Sequence, residues 1–132
     1  MNMTPILVAI KGAISSAASP VSVYFTNVPQ NAAPPFVRWE VLNSSEDPDL
    51  RVYRSLDEGE AVTVNINVWA VTMEAAAAIS DSITSALVGA VIVPTGYKQT
   101  GKPRRESSQP LDDVESGLFR MMSRWNMRFC KP

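Results

Sequence analysis

The chain has 132 residues, of which 45% are hydrophobic and 19% charged, a composition that fits one folded domain and excludes a chain disordered as a whole. Its formal net charge of −1 argues against general affinity for nucleic acid. It contains no histidine and one cysteine, Cys130, so Ser-His-Asp and Cys-His catalysis, imidazole-ligated zinc and an internal disulfide are excluded. No stretch approaches the roughly 20 apolar residues of a membrane span, and we therefore predict a protein that is not an enzyme, binds no cofactor and enters no membrane.

The N-terminal part of the chain is predicted to contain one helix and two strands. Apolar residues recur at helical spacing from about Thr4 to Ala17, with Pro5 in the favoured first turn and Pro20 ending the helix. Val21–Val28 is rich in β-branched and aromatic residues, which predicts a strand. Phe36–Asn43 alternates apolar and charged residues and predicts a second strand.

The middle of the chain begins with a polar, acidic stretch that predicts an extended loop at about 44–60. A strand follows up to Ala70, in which apolar side chains alternate with threonine and asparagine. An amphipathic helix is predicted next, with Thr72 as its N-cap. Its apolar face is predicted to comprise Ala75, Ile79, Ile83 and Leu87. The strand–helix junction has no glycine-rich loop and no nucleophile elbow, so it indicates a scaffold element.

The C-terminal part combines a weakly patterned segment with a clear strand. Residues 96–113 include the basic run Lys102-Pro103-Arg104-Arg105, and they predict a second extended polar loop that is strand-like at its ends. Leu118–Cys130 has the clearest alternation in the chain and predicts a strand with Phe119 and Trp125 in the core. The opposite face of this strand carries Arg120, Arg124 and Arg128.

The predicted order of elements is helix-strand-strand-strand-helix-strand-strand. This order predicts a single α+β domain over residues 1–132. We expect a mixed, mainly antiparallel sheet of about five strands, with two helices packed on one face of it. The two extended loops would project from that scaffold, where binding segments are most often found.

Charge is segregated along the chain. Residues 40–81 contain nine acidic and two basic residues, whereas residues 98–131 contain eight basic and four acidic ones. This division is typical of head-to-tail association, in which the acidic side of one subunit meets the basic side of the next. Neutralisation of the two regions within one subunit is the alternative.

The candidate contact residues are the charged side chains of the two loops and the last strand. They are Asp47, Asp49, Arg51, Arg54, Asp57, Glu58, Lys102, Arg104, Arg105, Arg120, Arg124 and Arg128. The alternative for each group is an ordinary solvated surface. The acidic run Glu46-Asp47-Pro48-Asp49 lacks the glycine and terminal glutamate of an EF-hand loop, so no metal site is predicted there.

Three stretches of the chain are informative together: Pro5-Ile-Leu-Val-Ala-Ile, Pro34-Pro35-Phe36-Val37, and Val64-Asn-Ile-Asn-Val-Trp-Ala-Val-Thr with the helix that follows it. They resemble the tail-terminator and tail-completion proteins of long-tailed bacteriophages and gene transfer agents. The closing stretch Phe119-Arg120-Met121-Met122-Ser123-Arg124-Trp125 is similar to the last strand of the family. The resemblance covers nearly the whole chain except the basic segment 98–113, and it includes no catalytic motif.

The resemblance implies a structural virion protein that forms a ring, usually of six subunits. Such a ring caps the tail tube, stops its polymerisation and offers a joining surface to the head. The implied partners are other copies of the chain, the major tail tube protein and a head-completion or connector protein, with DNA passing through the ring without specific binding. The implied location is the head-proximal end of the tail, after assembly in the host cytoplasm.

Two functions other than a ring-shaped cap remain open. A head-closure or connector-side joining protein would lie one ring away in the same virion. A small non-enzymatic regulatory α/β binding module would instead need a concave apolar pocket, and would be a monomer or a dimer.

Overall fold

The computed structural model describes residues 4–46, 59–113 and 117–130, and the side chains at 43–46, 59–60 and 112–113 lie outside that description. The α+β class predicted from the sequence is confirmed. Within the described ranges the elements are α1 (Thr4–Ala18), β1 (Ser22–Phe25), β2 (Phe36–Glu46), β3 (Gly59–Ala70), α2 (Met73–Val88), β4 (Lys98–Gln99), β5 (Arg104–Asp113) and β6 (Leu118–Cys130).

The six described strands form one mixed sheet. Its order is β1-β2-β3-β6, and β4 and β5 both pair with the remaining edge of β6. The β1–β2 pair is parallel and the others are antiparallel. The prediction of a mainly antiparallel mixed sheet is therefore confirmed, with one more strand than expected.

The predicted extended loop at 96–113 is wrong in its main part. Residues 104–113 form β5, which pairs with β6 from Arg104 to Asp113, and residues 98–99 form the short β4. The residues from Arg104 to Pro110 are exposed, so β5 lacks the alternation by which a half-buried strand is recognised. Pairing with β5 satisfies backbone groups of β6 that would otherwise form an open edge. Pro110 is compatible with β5 because β5 is an edge strand.

The predicted acidic loop at 44–60 is wrong at both of its ends. Residues 44–46 extend β2 and residues 59–60 begin β3, with Glu46 paired to Glu60. The twelve residues between them, 47–58, lie outside the described residues.

Helix α2 begins at the predicted cap. Thr72 has extended backbone angles, φ −126° and ψ 155°, and its Oγ1 accepts a hydrogen bond from the Ala75 amide at 3.1 Å. The buried residues of this helix are Ala76, Ser80, Ile83 and Leu87. The predicted face is therefore correct at Ile83 and Leu87 and wrong at the exposed Ala75, whereas Ile79 is half-buried and packs against the core cluster. A four-residue step overshoots a helical turn by about 40°, so a face drawn at constant steps drifts away from the core.

The core lies between the sheet and the two helices, as predicted. Helix α1 contributes Ile6, Ile10 and Ile14, which are completely buried, and β6 contributes Trp125, whose indole Nε1 donates to Ser123 Oγ at 3.0 Å. Phe119 is only half-buried and lies outside the core cluster, so its predicted core position is wrong. It pairs with Ala70, the last residue of β3, at the margin of the sheet.

Strand β1 is short because the chain turns away after Phe25. Thr26 has a left-handed backbone with φ of 65°, and its amide donates to the Trp39 carbonyl at 2.9 Å. The last paired residues of β1 and β2 are Phe25 and Trp39. Strand β2 continues for seven residues beyond that point, to Glu46.

Candidate functional site

The outer face of the sheet, defined here as the side opposite the helices, carries the predicted arginines of β6. Arg120, Arg124 and Arg128 are spaced four residues apart along the strand, so they face the same side. They pair with Trp69, Asn65 and Ala61 of β3. Core side chains such as Trp125 and Met127 occupy the other side. The predicted division of β6 into an apolar and a basic face is therefore observed.

Arg120 is held against an aromatic row. Its guanidinium carbon lies 5.6 Å from the centroid of the Trp69 ring, a cation–π arrangement. Trp69 stacks on Phe36 with centroids 5.3 Å apart, and Tyr24 meets Phe36 edge-on at 6.3 Å. These contacts fix the outer face across strands β1, β2, β3 and β6.

The neighbouring charges of the outer face are also held in place. Arg124 Nε donates to Asn65 Oδ1 at 3.4 Å, and Asn65 is buried. Arg38 and Glu40 form an ion pair of 2.8 Å, with each side chain 29% exposed. Sequence reasoning placed Arg38 and Glu40 on a polar strand face but did not select them as contact residues. The sequence signal for this ion pair is the two-residue spacing of opposite charges, which places both side chains on one face of a strand.

A basic cleft lies where β4 and β5 approach the same edge of β6. The connection between them crosses β6 at Thr100, whose amide donates to the Arg128 carbonyl at 3.0 Å. The cleft has a volume of about 550 Å³. Its charged and amide-bearing lining residues are Lys102, Arg104, Arg105, Glu106, Asn126 and Arg128. Four cationic residues therefore surround one carboxylate, and predicted contact residues from two segments are brought together.

Two of these cations anchor the cleft wall to helix α2. Lys102 Nζ donates to the carbonyl of Gly89, just beyond the C-terminus of the helix, at 3.3 Å. The Arg105 guanidinium donates to Thr84 Oγ1 at 3.5 Å. A cation at a helix C-terminus satisfies carbonyls that have no partner within the helix. The predicted basic run is thus divided between two sides of the sheet. Lys102 and Arg105 contact α2, whereas Arg104 pairs with Asn126 on the outer face, beside Arg124 and Arg128.

The other six predicted contact residues lie outside the described residues. They are Asp47, Asp49, Arg51, Arg54, Asp57 and Glu58. The strands that bracket them are described, and the register places Glu46 beside Glu60, Glu60 beside Phe129, and Phe129 beside Gln99. The base of this acidic segment therefore lies at the same end of the sheet as β4 and the cleft.

The sheet has two uncovered edges among the described strands. Strand β1 pairs with β2 only as far as Trp39, so from Glu40 to Glu46 no described strand covers the outer edge of β2. At the opposite side of the sheet, β5 pairs with β6 along one edge, and no described strand covers its other edge. An uncovered edge presents amide and carbonyl groups that can pair with another chain.

Neither described helix has the length and hydrophobicity that a bilayer crossing requires. Within the described ranges, no three cysteine or acidic side chains come together in a group that could hold a metal ion. The arrangement that the structure does provide is one of charged surfaces, a basic cleft and open strand edges.

Comparisons with known proteins agree with this architecture. The chain has the fold of a protein in the virion of a native gene transfer agent particle, with a TM-score of 0.65, 15% sequence identity, and coverage of 95% of this chain and 91% of that one. A second solved structure matches with a TM-score of 0.61 and 15% identity over 100% of this chain and 96% of the other. No curated protein matches significantly. The family described as tail completion protein gp17 matches residues 5–129, and the chain therefore belongs to this tail completion family.

Proposed function

We propose that this tail completion protein forms a closed ring of six subunits that caps the tail tube, stops its polymerisation and presents the surface to which the head is joined. Membership in the family assigns the protein a structural role in the virion tail. Its partners in the proposal are other copies of itself, the major tail tube protein and a head-completion or connector protein. The fold shared with a protein of a gene transfer agent virion supports this location.

The observation that carries the proposal is the pair of uncovered edges on opposite sides of one sheet. Three antiparallel steps lead from β2 through β3 and β6 to β5, so β5 runs antiparallel to β2. A neighbour in the same orientation would therefore place its β5 antiparallel to the free part of β2 and continue the sheet. Repetition of one such heterologous contact gives a closed ring when the rotation between subunits closes.

Ring closure would also explain how the tube is ended. In a closed ring every sheet edge is paired with the next subunit, so no edge remains on which a further tube ring can nucleate. This mechanism is geometric and requires no chemical step.

The first prediction tests the β5 edge. Proline is tolerated in an edge strand only where its nitrogen points away from the ladder, so Pro110 indicates that Ser108, two residues earlier, also directs its N–H outward. Ser108→Pro should remove one outward donor without disturbing pairing to β6. We expect loss of rings by native mass spectrometry and tails of uncontrolled length by negative-stain microscopy.

The matched control is Ser108→Ala, which keeps the N–H and should behave as the original protein does. Both variants are first compared by circular dichroism melting. A folded Ser108→Pro protein that still gives rings and tails of normal length would refute edge pairing. Tails of normal length that fail to join heads would favour the head-closure alternative. A protein that is monomeric both in solution and on tails would refute the ring itself.

A further inference from the structure

We infer that residues 90–94 are an unpaired strand of the subunit, to which an extended, apolar segment of the tail tube protein adds. This inference rests on the proposed ring and names the contact between that ring and the tube. It uses no charged residue, and it leaves the strand edges that join neighbouring subunits in the proposal untouched.

Residues 90–94 follow helix α2 and have the burial pattern of a strand. Ile92 is buried in the core, whereas Val91 and Val93 on either side of it are 70% and 64% exposed. Valine and isoleucine favour extended backbone, and such alternation is typical of a strand with one buried face. Nevertheless, none of the described strands pairs with this segment.

One edge of the segment is satisfied by a side chain. The Ile92 N–H donates to Gln99 Oε1 at 3.2 Å, and Gln99 Nε2 donates to the Ala90 carbonyl at 3.3 Å. The Gln99 amide thus supplies the donor and the acceptor that a neighbouring strand would otherwise provide. Because Gln99 belongs to β4, which pairs with β6, the segment is fixed to the sheet.

The opposite edge of the segment is open. In an extended chain the backbone groups of successive residues point to opposite edges, so those of Val91 and Val93 point away from Gln99. No described residue forms a hydrogen bond with the amide or the carbonyl of either valine. The segment therefore presents a short strand edge, with exposed apolar side chains beside it, that another chain can extend.

The exposed backbone groups define the chemistry of the occupant. Only an extended segment offers donors and acceptors at the spacing of a strand edge, so the occupant is a strand. Its side chains are expected to be uncharged and apolar where they lie against Val91 and Val93. A charged side chain at those positions would lose hydration without gaining a partner of opposite charge.

The place of the segment in the fold favours the tube over a neighbouring subunit. Strand β4 begins opposite Cys130, the last residue of β6, so residues 90–94 lie at the end of the sheet. In a ring joined through its sheet edges, the ends of the strands face the structures above and below the ring. So small a site is weak alone and needs a partner that repeats the same segment for every subunit. A tube polymerised from one protein provides that repetition at its end.

Replacement of Val93 by proline tests the open edge. Val93→Pro removes the outward N–H but keeps an apolar side chain, and the position suits proline because Val93 already precedes Pro94 and therefore favours extended backbone. Rings should form as those of the original protein do, measured by native mass spectrometry. Binding of the rings to purified, uncapped tail tubes, measured by cosedimentation, should weaken on the order of tenfold or more, because each subunit loses one hydrogen bond.

Val93→Ile is the matched control, because it keeps both the N–H and an apolar, β-branched side chain and should bind tubes as the original protein does. Circular dichroism melting first establishes that both variants are folded. Normal tube binding by folded Val93→Pro rings would refute the inference and leave the proposed ring intact. Rings of this variant that bind tubes normally but fail to join heads would assign the edge to a head-side protein instead.

Hydrogen–deuterium exchange on the original protein gives a second test that needs no variant. The Val91 and Val93 amides should exchange rapidly in the free ring and slowly in the tube-bound ring, because pairing with a strand protects them. Rapid exchange in both states would refute strand addition, even if Val93→Pro does not fold. An original protein that forms no ring, alone or on tubes, would refute the proposed function, whereas tube-bound rings with unprotected valine amides refute only this inference.

Discussion

The buried tryptophan of β6 shows how single side chains secure the fold. Trp125 is completely buried between the sheet and the helices, and its polar nitrogen is paired with Ser123. The ring of Trp125 is therefore fully removed from solvent, and its N–H group has a hydrogen-bond acceptor. The packing of one side chain thus connects β6 to both the neighbouring strand β3 and the helices.

Replacement of Trp125 by alanine should lower the free energy of unfolding by about 3–5 kcal/mol, as truncation of large core side chains does. A denaturant titration measures this change. Val8→Ala is the control, because Val8 is exposed on α1 and should alter stability by less than about 0.5 kcal/mol. A loss below about 1 kcal/mol at Trp125 would contradict its role in the core.

The arginines show what could and could not be read from single positions. Alternation along β6 predicted that Arg120, Arg124 and Arg128 share a face, because strand periodicity fixes the side on which a residue lies. The separate roles of Arg104 and Arg105 were not predictable. Their neighbours, Asn126 and Thr84, are distant in sequence, and only the packed structure brings them together.

At the scale of elements, prediction succeeded where one face of an element is buried. Strand β3 and strand β6 alternate because one side contacts the helices, and helix α2 begins at a recognisable cap. The sequence of β5 predicts a loop that is strand-like only at its ends, because the exposed residues from Arg104 to Pro110 do not alternate. Its existence depends on pairing with β6, which leaves no periodic signal in the sequence of β5 itself.

The cap of α2 provides a prediction at this scale. Thr72→Ala should destabilise the protein by about 1 kcal/mol, because the hydrogen bond to the Ala75 amide is lost at the helix N-terminus. Thermal unfolding followed by circular dichroism measures this change. Thr72→Ser retains the accepting hydroxyl and should cost less. Equal losses in the two variants would show that the cap bond contributes little.

At the scale of the whole molecule, charge and sheet geometry support the same mode of association. Glu46 and Glu60, the described residues that flank the acidic segment, lie at the same end of the sheet as β4 and the basic cleft. A head-to-tail neighbour would bring them together. The net charge of −1 does not by itself show that acidic and basic residues are concentrated in different parts of the chain.

Association of the subunits should weaken as salt is raised. Exposed charges interact over about 10 Å at 0.1 M salt but only about 3 Å at 1 M. We expect the association constant from sedimentation velocity to fall across this range, while the unfolding transition of the dilute protein shifts much less. Stronger association at high salt would point instead to an apolar contact, for which the exposed Val88, Val91 and Val93 are available.

The left-handed turn at Thr26 determines which strand forms the open edge on this side of the sheet. A β-branched residue in this conformation costs about 1–3 kcal/mol. The turn ends β1 after four residues and leaves the far half of β2 open. Had β1 continued alongside β2 to Glu46, β1 itself would form the open edge, and the free part of β2 would be covered. In the proposed ring, one backbone angle at an uncharged residue would thus select the strand that meets the neighbour.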